Sequence, residues 1–159
     1  MTPDPAANFE IRKILVPVDF SSGSDRAYGY AVRMARAFSA KLVLLHVFDS
    51  RIIENVFHIH QMDEDAVRRE MADSAKASFA ALAGRPESEG LDQELMSRDG
   101  IPAREIIRAA KDVNADLIVI GAHGATGLRE ILYGTTAEGV VRGAHCPVLS
   151  VGDGRGPAE

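Results

Sequence analysis

The chain has 159 residues, 46% hydrophobic and 26% charged, the size and balance of one globular domain with a real core. Its 18 basic and 23 acidic side chains give a net charge of -5, and the densest basic spot, Arg68-Arg69, runs straight into Glu70. That excludes the clustered Lys and Arg by which a protein neutralises nucleic-acid phosphates, so no nucleic-acid partner is expected. Residues 1–10 lack the apolar stretch of a secretory signal, and no apolar run approaches the ~18 residues of a membrane span. Cys146 is the only cysteine, which excludes an intrachain disulfide; no membrane association is expected, and the expected compartment is the cytoplasm.

Ile14-Leu15-Val16-Pro17-Val18 reads as a first strand, and its consecutive apolar residues demand cover on both faces, as in a parallel sheet. Asp19 follows, where a carboxylate can accept hydrogen bonds from a ribose or a purine amino group. The alternative is that Asp19 helps to cap the next helix. That helix carries Ala27, Ala31, Met34, Ala35 and Phe38 on one face, with Ser22 and Asp25 as a capping start. Residues 42–47 form a second strand, in which His46 reads as a satisfied core histidine. Residues 50–63 read as a long connection. Within it His58, His60 and Asp63 have a metal-like look but no fourth ligand nearby, so no metal site is assigned. Val67, Met71, Ala75, Phe79 and Leu82 mark the second helix.

Residues 91–98 form a third strand, whose Asp92, Gln93, Glu94 and Arg98 suit a sheet edge facing water. Pro102 belongs in the first turn of a third helix, ahead of Ile106, Ala110 and Val113. Residues 117–120 are the fourth strand, residues 135–143 the fourth helix, and residues 148–151 the last strand. Cys146, before Pro147, reads as a small buried residue. Strands alternating with helices in this way predict an α/β fold with a parallel sheet and helical crossovers. The domain spans residues 11–152, between tails at 1–10 and 153–159.

Ligands of open parallel sheets bind beyond the carboxyl ends of the strands. Three such ends carry information. After the fourth strand comes Gly121-Ala122-His123-Gly124-Ala125-Thr126-Gly127, and later Gly134-Thr135-Thr136. Glycines let backbone amides approach an anion, and the helix opening at Thr135 offers free N–H groups to a phosphate. A capping box between Thr135 and Glu138 would satisfy the same amides with no ligand at all. After the first strand stands Asp19. After the second, the main chain near Val47 can read an adenine edge with no special side chain.

Together these three ends resemble the universal stress protein family. Its nucleotide-binding pattern, Gly, two residues, Gly, nine residues, Gly, then Ser or Thr, is present as Gly121, Gly124, Gly134 and Thr135. Residues 13–21, 44–47 and 146–149 are similar to the family's first, second and last strands. The resemblance implies a five-stranded parallel sheet in the order 3-2-1-4-5 with helices on both faces, a Rossmann-like fold akin to the adenine nucleotide alpha-hydrolases. It implies ATP as ligand, with Mg2+ bridging its phosphates. Asp19 would contact the adenosine and the main chain of Val47 the adenine; Pro17, Val18 and Ile120 would line the base pocket. Gly121, Gly124, Gly134, Thr135 and Thr136 would hold the phosphates, with His123 also among the nucleotide-binding residues. It further implies a homodimer through the last strand, Val148–Val151, whose apolar edge invites a second copy.

On this reading the protein is a nucleotide-dependent stress regulator read by a protein partner. Two alternatives stand beside it. His123, Thr126 and Arg129 could support slow ATP hydrolysis, although the loop lacks the Lys of a Walker A motif. The chain could also be a dimeric interaction module indifferent to nucleotide.

Overall fold

Ile14, Leu15 and Val16 are fully buried, and so are the four residues from Leu42 to Leu45 and the pair Ile118 and Val119. Strands buried on every residue need a helical layer on each face. The computed structural model, which describes residues 9–60, 63–122 and 135–153, has both layers. Its strands are β1 (Lys13–Pro17), β2 (Lys41–Asp49), β3 (Gln93–Gly100), β4 (Leu117–Gly121) and β5 (Val148–Val151). The helices are α1 (Ser22–Phe38), α2 (Ser50–His60), α3 (Glu64–Ala83), α4 (Pro102–Asp112) and α5 (Thr135–Gly143). All strand pairs are parallel, in the order β3-β2-β1-β4-β5.

The period of two along the strands sends alternate side chains to opposite layers. Ile14, Val16, Leu42, Leu44, Leu117 and Val119 pack with Tyr28, Ala31 and Ala35 of α1 and with Phe79 and Leu82 of α3. Leu15, Val43, Leu45, Ile118 and Ile120 pack with Ile106, Ala109 and Ala110 of α4 and with Ala137 and Val140 of α5. A cavity at any of these central positions costs about 2–5 kcal/mol for Leu or Ile cut to Ala. On the second face α5 lies close against α4, because a Cβ on Gly139 would stand 3.0 Å from the Ala103 Cβ. β3 is an edge strand of half-buried and exposed residues, with none fully buried, as suits its polar sequence.

Two local expectations need correction. Residues 50–63 are not one irregular connection: residues 50–60 form α2. Ile53, Val56 and Phe57 recur at helical spacing, and Ile53 is buried at 3% exposure while Ile52 stays in water. The capping start of α1 is also displaced by one residue. Ser21, not Ser22, is the N-cap, its hydroxyl accepting from the Ser24 amide, and Asp25 pairs with Arg85 instead. Cys146 is half-buried, and burial pushes its thiol pKa up, with Asp116 adding to the shift. No helix among the described residues is long and apolar enough to cross a membrane.

Candidate functional site

The chain leaves β1 toward β2 and β3 on one side, and β4 leads to β5 on the other. The strand order therefore reverses between β1 and β4, which is where a crevice opens beyond the carboxyl ends of such a sheet. Pro17 ends β1 with Val18 and Asp19 just beyond it, Ile120 and Gly121 end β4, and Val47 lies on the neighbouring strand β2.

The hydrogen-bond register shows where β1 parts from its neighbours. Arg12 O accepts from the Lys41 amide and Val18 N donates to Leu45 O, whereas Lys13 O accepts from the Asp116 amide. Even-numbered residues of β1 thus turn their backbone groups to β2, and odd-numbered ones to β4. Pro17 is odd and has no N–H, so it cannot carry the β4 ladder onward. The paired register between those strands covers Ile14↔Leu117 and Leu15↔Ile118.

On the other flank, β1 and β2 pair as far as Pro17↔Leu45, while β2 continues with β3 as far as Asp49↔Gly100. Leu42 N donates to Asp92 O on the β3 side, and Leu45 O accepts on the β1 side. By the same alternation, Val47 turns both its N–H and its C=O toward the side that β1 has left. That is the main-chain slot expected to read a base.

Asp19 is exposed, and its Oδ1 accepts from the Ser21 amide at 3.0 Å and from the Ser21 hydroxyl. The helix-capping alternative for Asp19 is therefore at work in the structure: the carboxylate braces the N-cap of α1. Its own amide donates to Ser24 Oγ at 3.3 Å, and Ser24 Oγ donates to Ser21 O at 3.1 Å. Between them stands Phe20, whose φ of 62° is in the left-handed region that a bulky residue occupies at a cost of about 1–3 kcal/mol. Its ring packs on His46 at 4.9 Å and edge-on against Phe79 at 5.4 Å. Such packing holds the strained turn in place.

Gly121 has a structural duty of its own. A Cβ there would lie 2.8 Å from the carbonyl carbon and oxygen of Gly23, so the end of β4 abuts the first turn of α1. Pro17, Val18 and Ile120 are buried at the carboxyl ends of β1 and β4. Helix α5 begins at Thr135, as expected, and Thr136 is half-buried in its first turn. Glu138 accepts from Arg142 at 2.6 Å. His123, Gly124, Thr126, Arg129 and Gly134 lie outside the described residues, as does the side chain of Thr135. Asp63, from the metal-like trio, is the N-cap of α3 and accepts from the Asp65 amide at 3.1 Å, and the side chain of His60 is outside the described set.

Sequence reading missed Phe20, Ser21 and Ser24 as the brace around Asp19. The available signal was the serine pair spaced three apart directly after the first strand. Asp49, at the end of β2, was missed as well. It accepts from the Arg51 amide at 3.0 Å and from the Arg51 guanidinium at 2.6 and 2.9 Å, which starts α2 over the same end of the sheet. The bonds from Arg51 hold the Asp49 carboxyl below the usual carboxylate range, against the opposing effect of burial.

Comparison with known proteins bears on the family and the fold. The model of the universal stress protein family matches residues 10–152. Universal stress protein MJ0531 of Methanocaldococcus jannaschii is 32% identical over 140 residues, 88% of this chain and 81% of its own length. The solved structure of MJ0577, from the same archaeon, aligns with a TM-score of 0.80 at 31% identity, over 92% of this chain and 99% of its own. A universal stress protein solved in complex with cAMP aligns with a TM-score of 0.58 at 27% identity, over 90% and 98%.

Proposed function

The chain belongs to the universal stress protein family, and from that premise we propose that it is an adenine-nucleotide-binding regulator of a stress response. The observation that carries the reading is the orientation of Val47, whose N–H and C=O both face the crevice beside β1. One peptide-bonded residue that offers a donor and an acceptor side by side suits the adenine edge, which presents an acceptor ring nitrogen beside a donor amino group. The relative solved with cAMP supports an adenine ligand.

In this reading Pro17, Val18 and Ile120 line the base pocket and Asp19 meets the ribose. The glycine pattern Gly121, Gly124, Gly134 with His123, Thr135 and Thr136 holds the phosphates of ATP. The start of α5 suits that task, since its first amides have no intrahelical partner. Mg2+, when bound with ATP, would offset the negative charge of the phosphates. The chain acts in the cytoplasm as a homodimer through Val148–Val151, and occupancy changes a surface that a protein partner reads. A ligand shifts such an equilibrium only through its differential affinity for the two forms.

Isothermal titration of the protein with Mg-ATP, and separately with AMP, cAMP and Mg-GTP, tests the reading. Saturable binding of one adenine nucleotide per chain, with GTP weaker, is the expected result. No heat of binding at millimolar adenine nucleotide would refute it.

A further inference from the structure

After the bond from Val18 N to Leu45 O, the next rung of the β1–β2 ladder would run from the Val47 amide to the Val18 carbonyl. The structure places something else on that carbonyl. His46 Nδ1 stands 2.8 Å from Val18 O, and since a carbonyl only accepts, Nδ1 carries the proton. The imidazole is gripped by rings: Phe20 at 4.9 Å, Phe48 edge-on at 4.7 Å and Phe79 edge-on at 6.4 Å. Two of the three belong to other elements, the turn after β1 and helix α3. The histidine therefore has little freedom to leave the carbonyl.

We infer that His46 is a positioning residue for base recognition: by occupying the Val18 carbonyl it ends the β1–β2 ladder one rung early and keeps the main chain of Val47 open to a purine edge. The inference rests on the adenine-nucleotide reading for its ligand, but its structural half does not. It also assigns selectivity. Adenine presents a donor amino group and an acceptor ring nitrogen, whereas guanine presents an acceptor oxygen and a donor ring N–H in the same two places. A fixed N–H and C=O pair on one residue matches the first pattern and mismatches the second. An open Val47 therefore discriminates without a polar side chain, while a Val47 amide drawn onto Val18 O loses its half of that discrimination. The side chain of Val47 takes no part, since it packs on the opposite face with the α4 layer.

Two variants remove the donor, His46→Phe, which keeps a ring in the aromatic cluster, and His46→Leu, should the first fail to fold. A third, His46→Asn, keeps an N–H near the position of Nδ1. Residue-resolved amide exchange of the nucleotide-free protein is the first readout. The Val47 amide is expected to exchange at least tenfold more slowly in the Phe or Leu variant than in the wild type, and at the wild-type rate in the Asn variant. The ratio of ATP to GTP affinity, measured by titration, is the second. It should fall at least tenfold in the donor-free variants and be retained in His46→Asn. An unchanged Val47 exchange rate, or an unchanged ATP to GTP ratio, in a folded donor-free variant overturns the inference while leaving the nucleotide reading intact. A wild-type protein that binds no nucleotide sinks the nucleotide reading, and the exchange comparison still decides whether His46 holds the ladder open.

Discussion

Gly121 and Gly23 meet so closely that a Cβ on Gly121 would fall 2.8 Å from the Gly23 carbonyl. Backbone, unlike the tip of a flexible side chain, cannot move aside cheaply. Gly121→Ala should therefore displace the first turn of α1 and cost about 1–3 kcal/mol of stability. Thermal or urea unfolding measures it. Gly29 is the internal control: it lies inside α1 with open space where a Cβ would go, and Gly29→Ala should stabilise by about 0.5–1 kcal/mol. An effect of Gly121 substitution on ligand binding must accordingly be read beside its effect on folding.

Tyr28 is fully buried, and its hydroxyl donates to Gln93 Oε1 at 2.8 Å, tying α1 to the start of β3. Tyr28→Phe removes the donor and leaves the shape, so a loss of about 1 kcal/mol is expected. Denaturant midpoints of the two proteins check it. Burial also raises the phenol pKa, so the folded protein's absorbance titration should show Tyr28 ionising above the ordinary tyrosine range.

Asp49 provides the pH dependence at the start of α2. Its folded pKa is depressed by Arg51, so the carboxylate contributes stability above its unfolded value of about 4. That contribution is lost as pH falls through the depressed folded value. Because Arg51 is largely exposed, the effect is small, under about 1 kcal/mol. Amide exchange in α2, corrected for the intrinsic rate, should quicken in strongly acidic buffer, and Asp49→Asn should reproduce that quickening at neutral pH.

Much of the fold was legible because the sheet writes itself in consecutive apolar residues: Ile14 to Val16, Leu42 to Leu45 and Leu117 to Ile120 are buried as their pattern demands. The ends of the elements were harder. β2 runs on through Phe48 to Asp49 because β3 still pairs with it there, a tertiary fact that an aspartate at the strand end conceals. α2 was hidden because its apolar residues cover a short stretch and its start is held by Asp49, a residue that reads as part of the loop. At the site, Asp19, Val47 and Gly121 were identifiable as residues at or near the carboxyl ends of strands, although β2 continues two residues past Val47. Their competing duties were not. That Asp19 braces Ser21 and that Gly121 abuts Gly23 depend on where α1 comes to rest against β4. His46 looked like core because it sits in an apolar run, and only the parity of the strands reveals which carbonyl it reaches.

The central claim, that an adenine nucleotide binds where β1 and β4 part, is tested most directly by following backbone amide resonances during titration with Mg-ATP. The account predicts saturable shifts concentrated at Val18, Asp19, Val47, Gly121 and Thr136, fitting one nucleotide per chain. Amides that remain unmoved at millimolar ATP, or shifts gathered along the β3 edge instead, would contradict it.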